Sequence, residues 1–161
     1  DLCAHYPLLS LDALSNPLMT SAPLAVIEAR GSRRMLLSVN AVAAARGLHA
    51  GMSLPGALSL VPELQALDRQ PKAEQAVLAA EASWAYRFGS PVTLSPAQSA
   101  LWVEIGQSIT LFGGWPALAK ALLAAEPDRE GQPIRERRLG VAVSPVHRAV
   151  VALRGDRKSV V

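Results

Sequence analysis

The stretch from Leu101 to Gly114, LWVEIGQSITLFGG, constrains the fold of this chain more than any other segment. Residues 101–105 alternate with a period of two, which places Leu, Val and Ile on one face of an extended strand. Gly106 breaks this pattern. The glycines at 113–114 are followed by Pro116, a residue favoured in the first turn of a helix. The stretch therefore predicts a buried strand, a turn and the start of a helix.

Short apolar runs separated by Gly, Pro and helix-capping residues divide the rest of the chain into further strands and helices. The predicted order is a strand and short helix over 2–14, strands over 24–29 and 35–39, helices after Asn40 and Ser53, a strand over 64–70, a helix over 71–88, the strand at 101–105, a helix over 116–125, a strand over 139–143 and a helix over 146–154. This order predicts an α/β (α+β) fold, in which helices cover one face of a sheet and a small subdomain is inserted between about residues 16 and 71.

The helix predicted over 71–88 has the clearest amphipathic pattern in the chain. Its apolar residues recur at intervals of three or four, so we expect them to form one buried face: Ala73, Ala76, Val77, Ala80, Trp84 and Phe88.

Positive charge is concentrated at the end of the sequence. From residue 128 onward there are eight Lys or Arg against four Asp or Glu, whereas the net charge of the whole chain is only +3. A solvated charged face and a phosphate-contacting surface both account for this excess. Seven of these eight basic residues are candidates for that surface: Arg135, Arg137, Arg138, Arg148, Arg154, Arg157 and Lys158.

Several classes of protein are disfavoured by the composition. Cys3 is the only cysteine, so the chain forms no internal disulfide and no cysteine-based zinc site, and we expect a reducing compartment. No apolar run is long enough to span a bilayer, and no secretory signal is present. We therefore expect a cytoplasmic protein with no membrane partner. Because the sequence starts at Asp1, we also expect it to be a fragment of a longer chain.

Common catalytic and ligand-binding motifs are missing from the sequence. There is no GxxxxGK[ST] or GxGxxG phosphate loop and no GxSxG nucleophile turn. The three histidines, His5, His49 and His147, do not have metal-ligand spacing. The sequence alone therefore predicts no cofactor, no metal ligands and no catalytic residues.

Three segments, in this order, resemble the N-terminal half of the Y-family DNA polymerases, which are translesion enzymes. The segment Gly47–Met52 resembles a fingers motif, Trp102–Ile105 resembles a strand of the palm, and Leu139–Val151 resembles the strand and helix that follow. The resemblance implies a palm formed by residues 1–15 and 72–161 and an inserted fingers subdomain formed by 16–71. It also implies that the thumb and little finger are absent from this chain.

In that family, carboxylates hold two Mg²⁺ ions, and a tyrosine, an arginine and a lysine contact the incoming nucleotide. The positions that the resemblance assigns to these roles carry other residues here: His5, Ser99, Ala100, Ala41, Ala44 and Pro145. Hard cations need oxygen ligands, and none of these residues is a carboxylate. The resemblance thus implies that the chain is not an enzyme and has no catalytic residues.

Two further segments, PLLSLDAL near the start and LFGG after the palm strand, resemble the ImuB branch of the family, the inactive subunit of the bacterial mutasome. This resemblance implies a DNA-binding scaffold in SOS-induced translesion synthesis and mutagenesis. The full-length protein would recruit an error-prone replicative-type DNA polymerase, the sliding clamp and a RecA-like accessory protein.

Contacts of such a protein with primer-template DNA would be independent of base sequence and would involve backbone phosphates. We expect them from the basic residues named above, together with Arg33 and Arg34 on the turn of the fingers hairpin. Two alternatives remain open at this stage. One is an active translesion polymerase fragment, and the other is a protein-interaction domain with no role on DNA.

Overall fold

The computed structural model describes residues 1–14, 21–125, 137–141 and 151–153. It has the mixed α/β fold that the sequence predicts. The strands are Leu2–His5 (β1), Leu24–Arg30 (β2), Arg33–Val39 (β3), Gln65–Asp68 (β4), Val92–Ser95 (β5), Ala100–Val103 (β6), Arg138–Val141 (β7) and Val151–Leu153 (β8). The helices are Leu9–Leu14 (α1), Ala41–Ala45 (α2), Leu54–Leu60 (α3), Pro71–Ala85 (α4), Gly106–Leu111 (α5) and Trp115–Ala124 (α6).

The chain divides into two compact units, each containing one sheet. The five-stranded unit comprises Asp1–Pro7, Gln75–Gly131 and Glu136–Val161, and the three-stranded unit comprises Leu8–Glu74 and Gln132–Arg135. The division into palm and fingers at residues 15/16 and 71/72 remains a prediction.

The five-stranded sheet has the strand order β5-β6-β1-β7-β8, and each neighbouring pair is antiparallel. In the central strand β1, Leu2 and Ala4 are completely buried, and their partners Val103 and Leu101 on β6 are also buried. These side chains share the face of the sheet that forms the core, because directly paired residues point the same way. The alternation predicted for residues 101–105 is therefore confirmed.

The buried face of α4 differs from the predicted one. Val77, Trp84 and Phe88 are buried as expected, but Ala76 and Ala80 are exposed. Two glutamates, Glu74 and Glu81, are buried on this helix instead. The prediction failed because alanine is tolerated on either face of a helix and does not mark the core by itself.

Residues 106–111 form a helix, α5, where the sequence analysis predicted only a lead-in to the glycine pair. Gly113 and Gly114 then have φ angles of 82° and 109°, which side chains other than glycine rarely adopt. This pair allows α5 to end and α6 to begin within three residues. The predicted helix over 116–125 is confirmed as α6.

The helix predicted over 146–154 is wrong for its last part. Val151–Leu153 form strand β8, which pairs antiparallel with β7, from Leu139↔Leu153 to Val141↔Val151. Valine-rich sequence has high strand propensity, and β7 offers a free edge for pairing. The rest of this prediction, over 146–150, lies outside the described residues.

The three-stranded sheet has the order β3-β2-β4, with β2 antiparallel to β3 and parallel to β4. Its connections confirm two predicted helix caps. The Asn40 side chain accepts a hydrogen bond from the Ala43 N–H at 2.9 Å, and Ser53 Oγ accepts one from the Gly56 N–H at 3.3 Å. Such residues satisfy N–H groups that have no partner inside the helix.

Candidate nucleic-acid interface

A row of side chains crosses the five-stranded sheet at the carboxyl end of β1. His5 pairs with Ala100 of β6 on one side and with Arg138 of β7 on the other, and Ala100 pairs with Ser95 of β5. Directly paired residues share a face, and their Cα atoms lie about 5 Å apart. We call Ser95, Ala100, His5 and Arg138 the polar row. Arg138 is exposed, whereas Ser95 and His5 are half-buried.

Ser99 directs the chain into the polar row. It ends a short 3₁₀ turn over Pro96–Gln98 in the left-handed conformation, with φ 49° and ψ 45°. Its carbonyl oxygen accepts a hydrogen bond from the Tyr6 N–H at 2.8 Å, which ties the start of β6 to the end of β1. The structure therefore brings together His5, Ser99 and Ala100, the positions that the resemblance assigns to metal ligands in Y-family polymerases.

These residues do not fit the two-Mg²⁺ site that the fold family implies. Mg²⁺ prefers carboxylate and other oxygen ligands, whereas the polar row offers an imidazole, a guanidinium and a hydroxyl. Among the described residues, the carboxylates that flank β1 and β6 are Asp1 and Glu104, which lie at the opposite end of these strands, about 13 Å from His5 along β1. Over the described ranges, no group of three or more His, Cys, Asp or Glu residues lies together.

The opposite face of the same sheet carries a buried polar cluster. Tyr6 follows His5 in sequence, and its hydroxyl donates a hydrogen bond to Glu81 Oε2 on α4 at 3.0 Å. Glu81 is completely buried. Arg137 precedes Arg138, and its Nη1 lies 3.8 Å from the same Glu81 oxygen. We call Tyr6, Glu81, Trp84 and Arg137 the buried cluster.

The guanidinium of Arg137 is held by more than this ion pair. It lies over the ring of Trp84, with its Cζ 4.0 Å from the ring centroid. Arg137 Nη2 and Trp84 Nε1 both donate to the carbonyl oxygen of Ala125, at 3.3 Å and 3.1 Å. The side chain of Arg137 is only 16% exposed. The structure thus places this predicted DNA contact inside the five-stranded unit and leaves its neighbour Arg138 at the surface.

Sequence reasoning missed Glu81 entirely. A glutamate within a helical pattern usually lies on the solvent face. Its hydrogen-bond partner Tyr6 lies 75 positions away in the sequence, so no local spacing connects the two residues.

The other described candidate contacts lie in the three-stranded unit. Arg33 and Arg34 are exposed at the start of β3, and Arg34 Nη2 donates to Asp68 Oδ1 at 2.7 Å. A groove of about 540 Å³ is lined by Ser32–Met35 and by Ser53–Pro55 at the start of α3. Arg33 therefore presents its charge at the edge of a groove, whereas the charge of Arg34 is partly neutralised.

The two alanines that the resemblance aligns with the triphosphate-binding side chains lie on α2. Ala41 and Ala44 are both exposed, and a separation of three residues places them on neighbouring positions of one helix face. A methyl side chain makes no hydrogen bond with a phosphate. The remaining predicted positions lie outside the described residues: Arg135, Pro145, Arg148, Arg154, Arg157 and Lys158.

A second ion network also escaped the sequence analysis. Arg69 donates to both carboxylate oxygens of Glu74, at 2.9 and 2.8 Å, and to Glu28 Oε1 at 2.6 Å. The hydrogen bond from Arg69 holds the pKa of Glu28 below its ordinary value. Hydrogen bonds to Glu74 and then Glu28 raise the pKa of Arg69. These charged groups are committed to each other and stabilise the three-stranded unit.

Comparison with known proteins yields a family model and a set of solved structures. The model described as the impB/mucB/samB family matches residues 5–133. The insertion ternary complex of Dbh DNA polymerase has a TM-score of 0.67 and 16% sequence identity, over 88% of this chain and 42% of that chain. DinB from Sulfolobus solfataricus has a TM-score of 0.56 and 16% identity, over 88% and 41%. No curated protein sequence matches the chain significantly.

The chain thus spans about two fifths of the length of the solved structures that it matches. At these identities the similarity shows the fold, which is that of the Y-family polymerases. Among the described residues, no helix is long and apolar enough to cross a membrane.

One expectation from the sequence analysis is wrong in view of these matches. We expected the chain not to be an enzyme, but the structures that share its fold over most of its length are those of DNA polymerases. The expectation rested on a few positions at one end of one sheet. Those positions test only one possible set of metal ligands, and they do not decide the activity of the whole protein.

Proposed function

Because the chain belongs to the impB/mucB/samB family and has the fold of the Y-family DNA polymerases, we propose that it is the palm and fingers portion of a polymerase-type protein that binds primer-template DNA in translesion synthesis. The observation that carries this proposal is the family match over residues 5–133, which covers most of the chain. The Dbh structures of the same fold include insertion and post-insertion DNA polymerase complexes, which supports a role on DNA.

Binding in this proposal uses backbone phosphates and does not depend on base sequence. Two exposed positions on different units supply the described contacts, Arg33 and Arg138. Arg34 contributes less because Asp68 already pairs with it. Arg137 supports the fold through Trp84 and Glu81. The basic residues outside the described ranges complete the proposed surface: Arg135, Arg148, Arg154, Arg157 and Lys158.

The finer part of the proposal concerns the biological setting. The likeness of PLLSLDAL and LFGG to the ImuB branch supports a role in SOS-induced mutagenesis, in the cytoplasm. In that setting the full-length protein recruits an error-prone polymerase, the sliding clamp and a RecA-like accessory protein. Co-purification of the full-length protein with each partner tests this part, and it fails if no partner is retained at moderate salt.

The test of DNA binding is fluorescence anisotropy of the full-length protein with a labelled primer-template over a series of salt concentrations. We expect the logarithm of the binding constant to fall linearly with the logarithm of salt, because each neutralised phosphate releases counterions. Two duplexes of unrelated sequence should bind equally. The matched variants are Arg33→Glu, which should weaken binding roughly tenfold, and Lys120→Glu on α6, which should not. Binding that is absent or independent of salt contradicts the proposal.

A second candidate function is DNA synthesis by the protein itself. The observation in its favour is that the solved structures with this fold are DNA polymerases. Single-nucleotide primer extension by the full-length protein, with Mg²⁺ and with EDTA, tests it directly. Extension that requires Mg²⁺ supports this candidate and would show that residues other than the polar row hold the ions. Absence of extension under conditions where the primer-template is bound argues against it.

A further inference from the structure

The polar row has a chemistry opposite to that of a cation site, and this difference suggests what it binds. Resting on the proposed DNA-binding function, we propose that Arg138 and His5 bind a backbone phosphate of DNA directly, at the end of the sheet where the fold family would place metal ions.

The register of the strands places the two side chains next to each other. His5 and Arg138 are directly paired across β1 and β7, so their side chains leave the same face of the sheet from Cα atoms about 5 Å apart. Side chains of this length reach a common anion from such positions.

The charge of the polar row favours an anion. Arg138 is exposed, and its planar guanidinium matches the geometry of a phosphate through two parallel hydrogen bonds. None of the four residues of the row is a carboxylate, and the position between His5 and Ser95 is occupied by Ala100. A guanidinium next to His5 repels a divalent cation and attracts an anion, so the row favours phosphate over Mg²⁺.

The buried cluster fixes the backbone on the other side of the polar row. Tyr6 and Arg137, the immediate neighbours of His5 and Arg138, are fixed on the opposite face by Glu81 and Trp84. Side chains on a rigid backbone lose less conformational entropy when they bind a ligand. The buried cluster therefore holds the ends of β1 and β7 in place for binding.

The experiment measures primer-template binding by the full-length protein and by Arg138→Ala, His5→Ala and His5→Asp variants, over a series of salt concentrations. Lys120→Ala is the matched control, since it removes one exposed positive charge from the same unit. Arg138→Ala should weaken binding roughly tenfold and lower the salt slope by about one. His5→Ala should have a smaller effect, and the control none. Circular dichroism melting curves identify any variant that does not fold.

Metal dependence separates direct phosphate binding from a metal site. At matched ionic strength, wild-type binding should be the same with Mg²⁺ and with EDTA. His5→Asp should weaken binding in both, because it places a negative charge beside the phosphate. If wild-type binding instead requires Mg²⁺ and is lost with EDTA, the end of the sheet is a cation site and the inference is wrong.

The outcomes also distinguish this inference from the proposed function. A wild-type protein that does not bind primer-template contradicts both. A wild-type protein that binds with a steep salt slope, while a folded Arg138→Ala variant keeps the same affinity and slope, contradicts only the direct contact at the polar row.

Discussion

The two faces of the five-stranded sheet use adjacent residues for different purposes. On the core face, Tyr6 and Arg137 are fixed by Glu81 and Trp84 of α4. On the other face, the next residues in sequence, His5 and Arg138, belong to the polar row. Since side chains alternate along a strand, two neighbouring arginines that look equivalent in sequence lie on opposite sides of the sheet. Charge in a sequence therefore predicts a binding surface only when the face of each residue is known.

The largest expected effect is the loss of the buried carboxylate. Glu81→Ala removes the buried carboxylate that accepts from the Tyr6 hydroxyl and pairs with the Arg137 guanidinium, and we expect it to lower the free energy of unfolding by about 3 kcal/mol. Glu81→Gln should cost less, since the amide oxygen still accepts from Tyr6. Urea denaturation monitored by Trp fluorescence measures both.

The control for this prediction lies on the same sheet. Glu104 is exposed at the other end of the strands, so Glu104→Ala should change stability by less than about 0.5 kcal/mol. Equal losses for Glu81→Ala and Glu104→Ala would mean that the buried cluster does not stabilise the core face.

The next effect concerns the close approach of the segment after α4 to the end of β6. A Cβ atom at Gly89 would lie 2.0 Å from the backbone carbonyl oxygen of Glu104, so the backbone would have to move. We expect Gly89→Ala to cost about 2 kcal/mol in urea denaturation. Gly106→Ala, where an added Cβ meets nothing, should be neutral or slightly stabilising. A neutral Gly89→Ala variant would show that this junction tolerates displacement.

The third prediction compares the two neighbouring arginines directly. Arg137→Lys keeps the charge but loses the planar group that stacks on Trp84 and reaches the Ala125 carbonyl, so it should cost about 1 kcal/mol of stability. Arg138→Lys at the exposed position should change stability by less than about 0.5 kcal/mol. Thermal unfolding of both variants measures the difference. Equal melting temperatures would contradict the prediction that Arg137 stabilises the core face more than Arg138 stabilises the other face.

Local features of the fold were predictable from sequence because their causes are local. Asn40 and Ser53 were recognised as helix caps, and the structure shows each side chain accepting a hydrogen bond from an N–H of the first helical turn. The alternation at 101–105 and the breaks at Gly and Pro placed most element boundaries. These signals involve residues within a few positions of each other, so a pattern in the sequence contains them.

Features that depend on distant partners were not predictable. Glu81 is buried with Tyr6 as its hydrogen-bond partner. Glu74 is buried with Arg69, which also donates to Glu28 of β2. The spacing of residues along the helix suggests none of these partners. Strand β8 was predicted as helix because its pairing with β7 is a tertiary contact. For the candidate site, the resemblance identified His5, Ser99 and Ala100, but the partnership of His5 with Arg138 follows only from the register of β1 and β7.

The smallest expected effect on stability concerns Ser99, which connects the polar row to the buried cluster. Ser99 precedes Ala100 of the polar row, and its carbonyl oxygen accepts a hydrogen bond from Tyr6 of the buried cluster. Its left-handed conformation, with φ 49°, costs a serine roughly 1 kcal/mol relative to glycine. Glycine also has more freedom in the unfolded chain, so we expect Ser99→Gly to stabilise the protein by only about 0.5 kcal/mol. Ser99→Ala, which retains the steric strain, should give no gain. If both variants destabilise the protein equally, then the serine hydroxyl, and not the backbone conformation, stabilises this turn.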